Sequence, residues 1–182
     1  MEDIRIEQPP SDGLDVEFSA GRITGLTVLD AGDEALDLMG ARLTVEDAIL
    51  VGSGGSGISA GEETRLRLHG AVLSGGRAAL LVKNASRARM RDVLLYDSEA
   101  GLDLRHLSAR YTGDARASTK RVHVMGCAAR GVSDRPWKPD LPSLKGAPDD
   151  DELADLRARV VGIDSWEQLE DGLARIRGEG TP

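Results

Sequence analysis

Gly13-Leu14-Asp15-Val16, Ala35-Leu36-Asp37-Leu38, Gly57-Ile58-Ser59-Ala60, Ala79-Leu80-Leu81-Val82 and Gly101-Leu102-Asp103-Leu104 are five renderings of one pattern. A small residue precedes a large aliphatic, a variable residue and a second apolar one. The aliphatic falls at 14, 36, 58, 80 and 102, a period of twenty-two residues with no slip. A second pattern follows each copy. It reads Ile23-Thr24-Gly25-Leu26-Thr27-Val28, Val45-Glu46-Asp47-Ala48-Ile49-Leu50, Leu68-His69-Gly70-Ala71-Val72-Leu73 and Met90-Arg91-Asp92-Val93-Leu94-Leu95. Its fifth copy is read at Val124-Met125-Gly126-Cys127-Ala128-Ala129. The third position is always Gly or Asp, residues that tolerate a tight, left-handed corner. On either side of it apolar and variable residues alternate, as in half-buried strands.

Each period therefore holds three strand-sized segments, which is the mark of a solenoid. A leucine-rich repeat has a similar period but needs an Asn column, and none exists. A left-handed hexapeptide helix needs a period of about eighteen. The predicted fold is an all-β solenoid, a right-handed parallel β-helix of about five coils with a short C-terminal α-helical tail. The hand follows from the crossover preference of parallel strands. The stacked columns predict a core of Leu14, Leu36, Ile58, Leu80 and Leu102, with parallel columns beginning at Val16, Ile23, Leu26 and Val28. Cys127 is predicted to join one of them as a small buried hydrophobe.

In this coil pattern the chain resembles the pectate-lyase-like superfamily of right-handed parallel β-helices. The resemblance covers about two-thirds of the chain. In that superfamily the outward face of the first strand often carries acids that bind calcium or perform acid/base work on glycosidic bonds. The resemblance thus implies a carbohydrate-active protein, a polysaccharide lyase or hydrolase, with Asp15, Asp37 and Asp103 as candidate catalytic residues. Ser59 and Leu81 interrupt that column, and no paired-acid spacing supports it.

Around the repeats the chain divides into four parts. Residues 1–12 form an N-terminal strand, Ile4-Arg5-Ile6, stopped by Pro9-Pro10. Residues 13–132 are the solenoid, 133–148 a Pro-rich linker, and 149–182 a helical tail that packs on or caps the solenoid. The tail's apolar residues Leu153, Leu156 and Val160, then Trp166, Leu169, Leu173 and Ile176, recur at helical spacing. From Asp92 to Gly126 the corner spacing stretches to 34 residues, twelve beyond the period. The surplus falls in 105–121 and predicts a loop thrown out of the last coil.

Three outward columns are candidate surfaces. The acidic column above is one. A basic band is the second: Arg67, Arg89 and His123 in one column with Arg22 and Thr44, and His69 and Arg91 in the next. Arg65, Arg87 and Lys83 lie nearby, and the loop adds Arg105, Arg110, Arg116, Lys120 and Arg121. Stacked guanidinium groups suit phosphate, sulfate or carboxylate. The third is an apolar stripe of Ile49, Val72 and Leu94 on the third strand. It needs either a cover, such as the tail, or a partner, such as a second copy of the chain.

The chain has 182 residues and a formal net charge of -8, which argues against general nucleic-acid binding. One cysteine excludes an intrachain disulfide. Aromatic residues are 3% of the chain, too few for extensive stacking on bases or sugars. The longest apolar run, 78–82, is far short of a membrane span, and Met1-Glu2-Asp3-Ile4-Arg5 lacks the features of a secretory signal. The expected location is cytoplasmic, with no membrane association and no cofactor. The three histidines, His69, His106 and His123, lack metal-ligand spacing, so no metal is expected. No nucleophile elbow, P-loop or dinucleotide fingerprint occurs. These features point to a non-catalytic scaffold or binding protein. It would self-associate through its N-terminal coil or apolar stripe, or bind an anionic ligand or protein through the basic band.

Overall fold

The computed structural model describes residues 1–135, 144–146, 149, 151 and 154. Its strands are β1 (Glu2–Glu7), β2 (Leu14–Glu17), β3 (Ala20–Leu29), β4 (Leu36–Met39), β5 (Arg42–Ser53), β6 (Ser56–Gly61) and β7 (Arg65–Gly75). They continue with β8 (Ala78–Lys83), β9 (Arg87–Tyr96), β10 (Ala100–Arg105), β11 (Arg116–Met125), β12 (Ala129–Ser133) and β13 (Leu144–Lys145). All pairing is parallel. The odd strands β1 to β11, with β13, form a seven-stranded long sheet, and the even strands form a six-stranded short sheet. The chain alternates between the two, so it is a parallel β-solenoid of about six turns. The N-terminal strand β1 is itself a rung, in register with β3 from Glu2↔Thr24 to Glu7↔Leu29.

The short sheet follows the first repeat without deviation. Leu14, Leu36, Ile58, Leu80 and Leu102 are mutual register partners, and so are Val16, Leu38, Ala60, Val82 and Leu104. Rungs about 4.8 Å apart turn each column into a continuous apolar ladder. From Leu36 onward the large members of the first column have no exposed surface. Such burial contributes about 1.5–3 kcal/mol for each large aliphatic.

The long-sheet strands β3, β5, β7 and β9 each bend at the residue that the second pattern marks. Gly25, Asp47, Gly70 and Asp92 have φ values of 67°, 55°, 65° and 55°. A strand normally sends alternate residues to one face. Here Ile23 and Leu26, three apart, both enter the core, as do Val45 and Ala48. The left-handed residue shifts the alternation by one position and folds the strand around the core. Two further series of left-handed residues mark the other corners: Phe18, Gly40 and Glu62 after the short strands, and Asp30, Asp97 and Gly126 after the long ones, with Gly52 at the end of β5.

The corners carry hydroxyls that replace absent peptide partners. Thr64 Oγ1 accepts from Ala41 N at 3.1 Å and donates to the Leu38 carbonyl at 3.2 Å. Ser86 Oγ accepts from Thr64 N at 3.0 Å, and Ser98 Oγ accepts from Gly75 N at 3.0 Å. Buried polar groups placed in this way satisfy the backbone at no net desolvation cost.

The last coil corrects the sequence reading. Its corner is Arg121, with φ 51°, and not Gly126. Lys120 pairs with Arg91 and Val122 with Val93. The corner-to-corner step from Asp92 to Arg121 is 29 residues, so the expansion is seven residues and not twelve. Val122 and Val124 therefore occupy the core columns assigned to Cys127 and Ala129. Cys127 follows β11 and is only partly buried, packed against the edge of the core. The rule that placed the corner sought Gly or Asp, and the chain uses an arginine instead.

Asp151 and Ala154 are helical; the remainder of the expected helical tail, and most of the linker, lie outside the described residues. Among the described residues no helix is long and apolar enough to cross a membrane.

Candidate anion-binding face

The first halves of the long-sheet strands alternate strictly, with every second side chain outward. The outward positions form three columns. The first is Arg42, Arg65, Arg87 and Arg116, four arginines in direct register on β5, β7, β9 and β11. The second is Arg22, Thr44, Arg67, Arg89 and Ser118. The third is Thr24, Glu46, His69, Arg91 and Lys120.

Arg22 is neutralised by Glu46 at 3.0 Å. His69 turns to the corner, with Nε2 3.1 Å from Asp92 Oδ2. The other cations of the band, seven arginines and Lys120, are exposed. None of them forms an ion pair among the described residues. Stacked rungs set like charges about 4.8 Å apart, where each pair costs roughly 1 kcal/mol in water.

Two depressions run beside the first column. One, of about 330 Å³, lies between it and Thr44, Arg67 and Arg89, with Leu43 and Leu66 beneath. The other, of about 300 Å³, lies on its opposite side against Glu63, Ala85, Thr112, Gly113 and Asp114. The wall of the second is the expanded loop 106–115. Asn84, which is buried, anchors that loop: its Oδ1 accepts from Leu107 N at 2.9 Å and Ser108 N at 3.0 Å, while Nδ2 donates to Glu62 at 2.9 Å. Arg116 N then donates to the Ser86 carbonyl at 3.0 Å, which returns the chain to the sheet in register.

The structure thus brings Arg67, Arg89, Arg91 and His69 together on one face. It does not bring His123 there. His123 pairs with Leu94, beyond the corner. It is buried, with Nδ1 3.1 Å from the Gly146 carbonyl oxygen. The shifted corner is the reason, and Ser118 takes the place expected for His123. The column Arg42–Arg65–Arg87–Arg116 was missed as a unit. Its first three members are visible in the sequence two residues before Thr44, Arg67 and Arg89; the fourth falls by sequence in the expected loop 105–121.

The acidic column is in register as expected: Asp15, Asp37, Ser59, Leu81 and Asp103. Asp103 stands three rungs from Asp37, about 14 Å, beyond the roughly 5–9.5 Å that separates paired glycosidase acids. It is also tied to Arg105 Nε at 2.6 Å, a contact that raises the Arg105 pKa. Asp37 Oδ1 is enclosed without a hydrogen-bond partner among the described residues. A separate acidic cluster, Asp12, Asp33 and Glu34, was not anticipated; its carboxylate oxygens lie within 4.8 Å of one another. Burial first, and then Asp33, push the Glu34 carboxyl up to about 7.

Ile49, Val72 and Leu94 do point away from the main core, but they are 1%, 0% and 0% exposed. They form a second apolar cluster with Leu29, Tyr96 and Met125. This stripe is covered within a single chain.

Comparison with protein-family models, curated proteins and solved structures finds no match for this chain.

Proposed function

We propose that this protein is a non-catalytic binding scaffold whose arginine face holds an anionic ligand. One observation carries the reading. Eight exposed cations that form no ion pair among the described residues are gathered on four successive rungs of a protein whose net charge is -8. A chain with 31 Asp and Glu residues has ample means to intersperse acids there. Concentrating like charge is unfavourable in the free protein and becomes favourable when an anion bridges neighbouring guanidinium groups. A rigid parallel sheet holds the groups at fixed spacing, which limits the entropy lost on binding. Chromatography on a polyanionic matrix at low salt tests the proposal. The acidic wild-type protein should be retained, and Arg65→Glu/Arg87→Glu should elute in the flow-through with an unchanged melting temperature. Wild-type protein that passes straight through would sink the idea.

A second reading is self-association through the N-terminal end. The outer edges of β1 and β2 pair with no other strand among the described residues. Ile4, Ile6, Leu14 and Val16 are only partly buried there. Open edges and half-covered apolar residues favour pairing with another copy. Light scattering across a wide concentration range decides it: a strict monomer throughout rules this reading out.

A further inference from the structure

We infer, on the reading that this face binds an anion, that its ligand is a linear chain of phosphates, an inorganic polyphosphate, laid along the solenoid axis. Direction comes first. The four-arginine column crosses four rungs, a ridge of about 14 Å, and both depressions follow it across neighbouring rungs. A compact anion would occupy one or two rungs and leave the rest of the ridge unpaired. An elongated one engages successive arginines along the ridge.

The type of cation comes next. Seven of the eight groups are guanidinium. A planar fork donates two parallel hydrogen bonds to two oxygens on one phosphorus, which an ammonium group does not do. What the grooves lack is equally informative. Among the described residues no aromatic side chain lines either of them, and no Asn or Gln. A single-stranded nucleic acid needs faces on which its bases stack, and an anionic polysaccharide has ring faces and hydroxyls to satisfy. A phosphoanhydride chain presents only charged and ester oxygens. It is the polyanion whose every unit matches a surface made of guanidinium groups and little else.

The sign pattern also selects the seat. Glu63 and Asp114 stand on the far wall of the 300 Å³ depression. The 330 Å³ groove, between Arg42–Arg65–Arg87 and Arg67–Arg89, has no acid in its lining among the described residues. The phosphate chain therefore runs in the 330 Å³ groove, contacted from both sides.

The test is titration of the full-length protein with tripolyphosphate, long-chain polyphosphate, heparin and a single-stranded oligonucleotide at fixed ionic strength. Long-chain polyphosphate should bind at least about tenfold more tightly than tripolyphosphate, heparin or the oligonucleotide. Its affinity should fall steeply with salt as several phosphates release their counterions. Arg67→Ala/Arg89→Ala should weaken binding about tenfold or more with an unchanged melting curve, because both side chains are exposed. Arg65→Lys/Arg87→Lys/Arg89→Lys keeps the charge and loses the forks, and should still cost several-fold. Equal or tighter binding of heparin or the oligonucleotide would overturn the phosphate assignment while leaving an anion-binding face in place. Full affinity in the lysine variant would overturn the two-point guanidinium contact. No binding of any of the four would bring down the anion-binding reading itself.

Discussion

Arg121 sits one rung beyond Asp92 and holds it by two hydrogen bonds, one from Nε to Oδ1 and one from Nη2 to Oδ2 at 2.7 Å. Both residues occupy left-handed corners, with φ 55° at Asp92 and 51° at Arg121. Left-handed backbone is costly for a long side chain, roughly 1–2 kcal/mol. The ion pair to a carboxylate only 8% exposed offsets that cost.

A double-mutant cycle on Asp92→Asn and Arg121→Gln should therefore return a coupling of about 1–3 kcal/mol. Asparagine tolerates the left-handed corner, so Asp92→Asn isolates the charge. Additive effects in chemical denaturation would contradict the pairing. Arg121→Gly should lose less than Arg121→Gln, because glycine removes the backbone strain along with the charge.

Asn84→Ala should loosen the loop without melting the solenoid. The amide serves Leu107 N, Ser108 N and Glu62. Its loss leaves partly buried groups unsatisfied and places alanine at φ 51°, a cost of about 1–3 kcal/mol. Hydrogen exchange should accelerate at residues 106–115, while amides of β7 and β9 stay protected. Unchanged exchange in the loop would refute the anchoring role.

The outer apolar cluster separates burial from association. Leu94→Ala or Val72→Ala should lower stability by about 2–4 kcal/mol, since both side chains are fully covered in one chain. The sedimentation coefficient of the folded protein should not change. Variants with normal stability and altered self-association would restore the stripe as an interface.

Glu34 makes stability depend on pH. Its folded carboxyl is raised from the ordinary 4.5 to about 7, chiefly by burial and then by Asp33. The folded state thus holds a proton that the unfolded state releases. The stability contributed is complete below about pH 4.5 and is lost as pH rises through about 7. Glu34→Gln, neutral throughout, should match the wild type near pH 4 and exceed it near pH 8. The gain should be on the order of 1–3 kcal/mol. Arg77, 3.5 Å from Glu34, is largely exposed and offsets little of it. Equal stabilities at pH 8 would show that the carboxyl is not strained.

Much of the candidate face was legible because strand alternation is a local rule. Once Leu66 and Leu68 are inside, Arg65 and Arg67 have nowhere to point but outward, and the period carries the same logic to Arg87 and Arg89. The same rule failed for His123. Its column depends on where the chain re-enters the sheet after a long loop. That register is chosen by hydrogen bonds to the preceding rung, such as Arg116 N to the Ser86 carbonyl, and not by any local preference.

The twenty-two-residue spacing, the stacked core and the Gly or Asp corners were written in residue order, because burying one aliphatic per rung and bending a strand are near-neighbour requirements. Folding in three dimensions was needed to seat Arg116 beside Arg87, to give Arg121 a corner it would not take unaided, and to bury Ile49, Val72 and Leu94 in a second cluster. Those features arise from contacts between residues far apart in the chain, where the free energy of pairing and packing overrides the preference of each residue alone.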